Sequence, residues 1–232
     1  MLFNLLQAVA DTASLAQAAP VQQEVKLSLI DMASKGGWLM IVLLLLSIMA
    51  IYIFGNKYWM IRQAGQIDKN FMKDIRDYIH DGKIKSALEL CQRYDSPVAR
   101  LVEKGIERIG RPLQDIQTAV ENTGGVEVAR LEKGLPMLAT IAGGAPMIGF
   151  LGTVTGMIEA FFRMSTAGNN IDITLLSGGI YEAMVTTVGG LFVGIIAYFG
   201  YNFLTSQISN LVFKMESTTI EFIDMLHEPA GK

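Results

Sequence analysis

Three long apolar stretches interrupt an otherwise charged and periodic chain. Gly37–Gly55 runs nineteen residues without a charge, Gly134–Ile158 twenty-five and Ala183–Phe213 thirty-one. About twenty apolar residues in helical form cross a hydrocarbon core of ~30 Å, so each stretch predicts a transmembrane helix. The second and third exceed one bilayer thickness and predict helices that continue into the cytoplasm. Trp38 at one end of the first stretch, with Tyr52, Tyr58 and Trp59 toward the other, are placed as interfacial aromatics.

Between the first two stretches the pattern changes to helical periodicity on a polar background. Phe71, Ile75, Ile79, Ile84, Leu88 and Cys91 recur at helical spacing, with a turn at Asp81-Gly82. Ser96 and Pro97 form a start signal for a helix whose apolar side is Val98, Leu101, Val102, Ile106 and Ile109. Arg111-Pro112 breaks it, and a further helix leads to the second span. Glu103 and Glu107 beside Lys104 and Arg108 suit a solvated helical bundle.

This pattern divides the chain into a periplasmic arm over 1–36, with an amphipathic interfacial helix at 27–34, and a first span at 37–55. A cytoplasmic helical domain follows at 56–133, then a second span at 134–162, a short periplasmic loop at 163–175 and a third span at 176–206. A cytoplasmic helix and tail at 207–232 complete an all-α integral membrane protein. The orientation rests on Lys and Arg: fourteen of nineteen fall within 56–134, and the loop between the second and third spans holds one. Ala16-Gln17-Ala18 resembles a cleavage site, but no Lys or Arg precedes Lys26, so the start reads as an uncleaved arm.

Composition agrees: 51% of residues are hydrophobic, only 18% are charged, and mean hydropathy is +0.37. A net charge of −3 offers no basic field for nucleic acid. One cysteine, Cys91, rules out an intramolecular disulfide and reads as an inert thiol. His80 reads as a surface histidine, without a nucleophile or second histidine nearby. Neither a cofactor nor a metal is called for, and an enzyme is disfavoured.

The second and third spans are unusual in their small and polar residues. Ala145, Gly149, Gly152, Gly156 and Ala160 form one stripe, and Gly178, Gly179, Ala183, Gly189, Gly190, Gly194 and Ala197 answer it. Small residues allow helix backbones to approach closely in lipid, where hiding leucine gains little. The first span has no such stripe and belongs outside the other two. Pro146 deletes one helical hydrogen bond, either as a packing kink or as a functional one.

Thr153 and Thr187 lie ~15 and ~22 Å from the outer boundary by residue count, which puts both near mid-membrane. Thr155 and Thr186 adjoin them. Two hydroxyls at matched depth suggest a shared polar surface. Glu182 is either ~15 Å inside the bilayer, where a carboxylate is a functional candidate, or at the interface if the span starts near Tyr181. Three helices are too few to enclose a cavity, so the chain is expected to oligomerise with closed symmetry around a central space. A passive scaffold, its threonines bonding only backbone, is the alternative from a different class.

LATIAGGAPMIGFLGTVTGMIEAF (138–161) and GGIYEAMVTTVGGLFVGIIAYFGYNF (178–203) resemble the second and third spans of the ExbB/TolQ/MotA family of proton-channel motor subunits. The three-span topology is similar to the ExbB and TolQ branch. The resemblance implies that Pro146 is the family's second-span proline, Thr153 and Thr187 its pore threonines and Glu182 its third-span acid. Thr186 is read with them as lining the pore, although it stands where relatives often have a small apolar residue. The resemblance also implies a pentamer in the bacterial inner membrane around a dimeric ExbD- or TolR-like single-span partner whose aspartate takes up protons. A TonB- or TolA-like protein would then be energised, for nutrient uptake or for envelope maintenance.

Overall fold

The computed structural model describes residues 37–66, 68, 70–166 and 173–227. The expected N-terminal arm with its amphipathic helix, residues 167–172 of the expected loop after the second span and the last residues of the tail lie outside them. The described residues form seven α-helices and no strand: α1 Gly37–Ala64, α2 Phe71–His80, α3 Ile84–Arg93, α4 Pro97–Ile106, α5 Leu113–Glu132, α6 Leu135–Thr166 and α7 Ile173–His227. Three helices are long and apolar enough to cross a membrane. Their outward side chains agree. Ile41, Leu44, Leu45, Ile48 and Ile51 on α1, with Phe150, Phe162, Phe192 and Phe199 on α6 and α7, are each 58–69% exposed. So wide an apolar surface requires lipid or another protein against it.

α6 and α7 pack antiparallel through the most extensive interface of the molecule, and α1 lies along α7. α1 and α7 both run past their uncharged stretches, as expected for α7. α1 continues past Gly55 to Ala64, and α7 runs unbroken for 55 residues, ~80 Å of helix. The expected third span and the expected C-terminal helix are therefore one rod. Three breaks fall at glycines with left-handed φ: Gly82 (+73°), between α2 and α3, Gly110 (+98°), between α4 and α5, and Gly134 (+94°), between α5 and α6. A side chain at any of them would strain the backbone.

The helical domain, α2 to α5, closes on the far end of α7. The Ser96 hydroxyl accepts from the Ala99 amide at 3.2 Å and starts α4 with Pro97 in its first turn. α2, α4 and α5 meet α7, α3 packs on α2 and α4, and Leu204, Ile208, Leu211, Met215, Phe222 and Met225 of α7 are buried in the same apolar cluster. Gly105 leaves room for Phe222: a Cβ there would overlap Cε1 of the ring and come within 2.9 Å of Cζ. Glu127, buried on α5, accepts from Arg100 Nε at 3.0 Å and Nη2 at 2.7 Å. Arg130 joins the same carboxylate at 3.3 Å. The Glu127 bond, more than any other influence, raises the Arg100 guanidinium above the ordinary arginine range. Lys57 Nζ lies 3.3 Å from the carbonyls of both Arg130 and Leu131. It thus ties α1 to the C-terminal turn of α5, where carbonyls lack partners within the helix.

Candidate functional site

The seam between α6 and α7 is built from backbone. A Cβ on Gly190 would stand 2.6 Å from the Ala145 carbonyl oxygen and 2.8 Å from the Gly149 Cα. On Gly149 it would stand 2.9 Å from the Thr186 carbonyl oxygen, and on Gly156 2.9 Å from the Ala183 Cβ. Gly179 faces Ala160 in the same way. Contacts this close are open only to glycine, the physical reason for the glycines that a helix otherwise disfavours.

Pro146 sits inside the continuous α6. Its ring is covered by Gly194, whose added Cβ would lie 2.6 Å from Cδ and 3.1 Å from the Ala142 carbonyl oxygen. That carbonyl is the one the proline deprives of its helical donor. The Gly194 backbone therefore covers both the proline ring and the carbonyl left without that donor.

The α7 glycines divide into two stripes, where the sequence suggested one. Gly179, Ala183, Gly190 and Gly194 face α6. Gly189 meets Met40 and Leu43, and Gly200 meets Phe54, all on α1. Gly178 meets nothing within 4 Å and takes no part in either seam. α1 thus fits into a glycine-lined flank of α7. Gly200 and Gly105 escaped the sequence reading because each serves one bulky aromatic ring, not a repeated glycine partner.

Thr153 and Thr187 come to the same level. The contacts Gly149 with Gly190, Gly152 with Thr186 and Gly156 with Ala183 set the antiparallel register and put Thr153 beside Thr187. The Thr187 hydroxyl donates across the seam to the Gly149 carbonyl at 2.9 Å. In an α-helix that carbonyl is also the acceptor for the Thr153 amide. The two threonines therefore converge on one oxygen. The Thr153 hydroxyl itself donates to the Phe150 carbonyl at 2.6 Å. Glu182, Gly189 and Gly200, the α1-facing positions, lie at seven- and eleven-residue steps. Thr187 is two residues, or ~200°, from Gly189, which aims it away from α1. Both threonines are only partly covered and border the open flank of the seam.

Thr186 is placed differently. It is 3% exposed, donates to the Ala183 carbonyl at 2.7 Å and rests against Gly152, where any Cβ would overlap its hydroxyl oxygen. Its side chain fills the seam and does not reach the open flank expected for it. Thr155 bonds the Leu151 carbonyl at 2.9 Å on its own helix.

Glu182 lies beside the first residue of α1: a Cβ on Gly37 would stand 2.6 Å from the Glu182 Oε1. The carboxylate thus sits at a helix N-terminus, which favours negative charge. Measured along α1, Glu182 has no depth, and Thr187, five residues on, is ~7.5 Å farther in. α7 starts at Ile173, nine residues or ~14 Å of helix before Glu182, so depths counted from Asp172 and from the level of Gly37 differ by about that length. On this scale the threonine level falls in the Gly37 half of the apolar stretch of α1. Glu159 and Arg163 form an exposed ion pair near the same end of α6. Among the described residues no group of three or more His, Cys, Asp or Glu is positioned to hold a metal ion.

These features define a multi-pass α-helical membrane protein whose two glycine-packed spans share a polar level, with a third span on their flank. The model of the MotA/TolQ/ExbB proton channel family matches residues 93–217, more than half of the chain, and the chain belongs to that family. It is 30% identical over 142 residues to a putative biopolymer transport protein ExbB homolog of Methanothermobacter thermautotrophicus, covering 61% of this chain and 50% of the relative. It is 29% identical over 180 residues to a putative biopolymer transport protein ExbB-like 1 of Synechocystis, covering 77% and 71%. It is 36% identical over 104 residues to the Tol-Pal system protein TolQ of Haemophilus influenzae, covering 45% of each chain. The match thus spans about half the length of the first and third of these relatives.

Proposed function

We propose that this chain is the channel-forming subunit of an inner-membrane motor driven by the proton motive force. Several copies, five by family analogy, form a sleeve with the α6/α7 flanks facing inward and α1 facing lipid. The arm and the α6–α7 loop are periplasmic, and the helical domain and the end of α7 are cytoplasmic. The sleeve encloses the transmembrane helices of an ExbD- or TolR-like dimer. Protons from the periplasm neutralise a partner aspartate at the Thr153/Thr187 level, and release to the cytoplasm restores its charge. Loss of the charge removes a desolvation cost and permits relative motion, which is passed to a TonB- or TolA-like protein reaching the outer membrane. One charge crossing 100 mV yields about 2.3 kcal/mol, so several must be coupled to do work at a distance.

The observation that carries this reading is the meeting of Thr187 and the Thr153 amide at the Gly149 carbonyl, on the side of the seam that α1 leaves open. The relatives carry both the ExbB and the TolQ names, and we place the chain with nutrient uptake, envelope maintenance being the alternative. The test is proton-motive-force-dependent uptake in cells carrying Thr153→Val and Thr187→Val, with membrane levels measured alongside. The double variant is expected to lose uptake at normal abundance, while Thr155→Val retains it.

The scaffold reading has one observation in its favour: both hydroxyls already donate to backbone carbonyls. Full activity of the double valine variant would establish that reading instead.

A further inference from the structure

A second feature lies on the other flank of α7, away from the threonines. Between α1 and α7, a groove of about 390 Å³ is lined by Tyr58, Ile61, Arg62, Gln207, Asn210 and Lys214, among others. Among the described residues its lining holds two cations and no carboxylate. Neither Arg62 nor Lys214 is in an ion pair with a described residue, and both are exposed. Their positions along the chain are informative. Lys214 is the first charge after the thirty-one uncharged residues of α7, and Arg62 follows the uncharged run of α1 by seven residues. The groove therefore sits where both helices leave the apolar layer, on the side of the helical domain.

A second groove, of about 310 Å³, continues along the same two helices into the apolar layer. It is lined by Ile51, Phe54, Ile196, Phe199, Gly200 and Phe203, together with Leu138 of α6 and others, with almost no polar surface. Phe203 belongs to both grooves. At the junction Phe203 packs against Phe54 and Tyr58, with ring centroids 6.1–6.3 Å apart. A cationic, amide-bearing pocket at the membrane boundary thus leads directly into an apolar channel below it. Free phosphate would use only the first. An amphiphile with an anionic head and a hydrocarbon tail fits both.

We propose that the α1/α7 seam binds one anionic glycerophospholipid of the leaflet on the helical domain's side. The phosphate lies between Arg62 and Lys214, and Gln207 and Asn210 hydrogen-bond to the headgroup and its ester oxygens. One acyl chain descends past Phe203 between α1 and α7. The lipid links the first span to the rod that joins membrane and helical domain. This inference requires that α1 and α7 cross a bilayer, and it is independent of the proton path.

The test is native mass spectrometry of the full-length protein released from vesicles of equal phosphatidylglycerol and phosphatidylcholine. The wild type is expected to retain phosphatidylglycerol well above phosphatidylcholine. Arg62→Gln with Lys214→Gln is expected to lower that excess about thirtyfold, from roughly 1 kcal/mol for each of the two basic residues near an anionic surface. Lys73→Gln with Arg76→Gln, on the exposed face of α2, is expected to leave it unchanged. Ile196→Trp, which fills the apolar groove and spares both cations, is expected to lower retention as well.

The following outcomes would overturn the proposal. They are an absent preference in the wild type, as when a second copy of the chain closes the groove, and a preference that survives the Arg62/Lys214 change. The others are an equal loss in the α2 variant and full retention in Ile196→Trp. Inorganic phosphate is run as a competitor: displacement of the lipid by it would identify a free-anion site and overturn the lipid assignment. Circular dichroism of each variant confirms that helicity is kept.

Discussion

Thr187 shows how one hydroxyl on the seam differs from another. Its bond crosses from α7 to α6, whereas Thr153 and Thr186 bond carbonyls three residues back on their own helices. Thr187→Val therefore removes a link between helices, and interhelical bonds of this type average about 0.6 kcal/mol in membranes. A small fall in thermal midpoint is expected for Thr187→Val and none for Thr153→Val, read by unfolding in detergent. Loss of proton-driven activity in both would then report chemistry and not stability. Cys91 gives a second prediction at this scale. Burial, reinforced by the Glu103 carboxylate, pushes its thiol from the ordinary 9.0 up to about 12. The folded protein should resist iodoacetamide at pH 8 and become labelled in denaturant, which peptide mass mapping reads directly. Between pH 9 and 12 the unfolded chain loses this proton first, so the Cys91 contribution to stability falls as pH rises through that interval.

Among the elements, the antiparallel α6/α7 pair is set by backbone contact, and near the other end of α7 the Phe222 ring fills the space left by Gly105. Gly190→Ala puts a methyl group against the Ala145 oxygen and Gly149 Cα, neither of which can rotate away. A cost of about 1–3 kcal/mol is expected from such overpacking, measured as a lowered unfolding midpoint. Gly178→Ala, about three turns away with no described atom within 4 Å of the added Cβ, should be neutral or slightly stabilising. In the helical domain, Gly105→Ala drives a methyl group into the buried Phe222 ring. It should loosen the end of α7 and raise its proteolysis, and Phe222→Leu in the same chain should restore much of the protection. A failure of rescue would mean that Gly105 acts through its backbone and not through this ring.

For the whole molecule, the open flank of α6/α7 is the consequential surface. Thr153 and Thr187 border it amid exposed apolar residues, and α1 does not cover it. A monomer would turn this polar level toward acyl chains. Native mass spectrometry of the purified protein is expected to show a closed oligomer, and to show two additional partner helices when an ExbD- or TolR-like protein is coexpressed. A strictly monomeric species would remove the basis for the sleeve. The unbroken α7 gives such a sleeve a mechanical property: its membrane and helical-domain ends cannot move independently without bending one helix.

The amino-acid sequence alone determined that three helices cross a membrane, because runs of nineteen to thirty-one uncharged residues admit no other stable state in lipid. It also determined that two of them pack by small residues, since a stripe of glycines has no other use in a helix. The start of α4 was legible in Ser96 and Pro97, whose capping chemistry is local. What required the tertiary structure was every property that depends on which face meets which neighbour. A stripe of glycines along α7 does not say that Gly189 and Gly200 serve α1 while Gly190 and Gly194 serve α6. Adjacent threonines do not say which one is buried against Gly152 and which one reaches across to Gly149. Residue counts do not place Glu182 beside Gly37 when the helix starts beyond the level of its neighbour. Periodicity fixes an angle within one helix, whereas register and depth are set by packing between helices, and only the packed molecule holds that information.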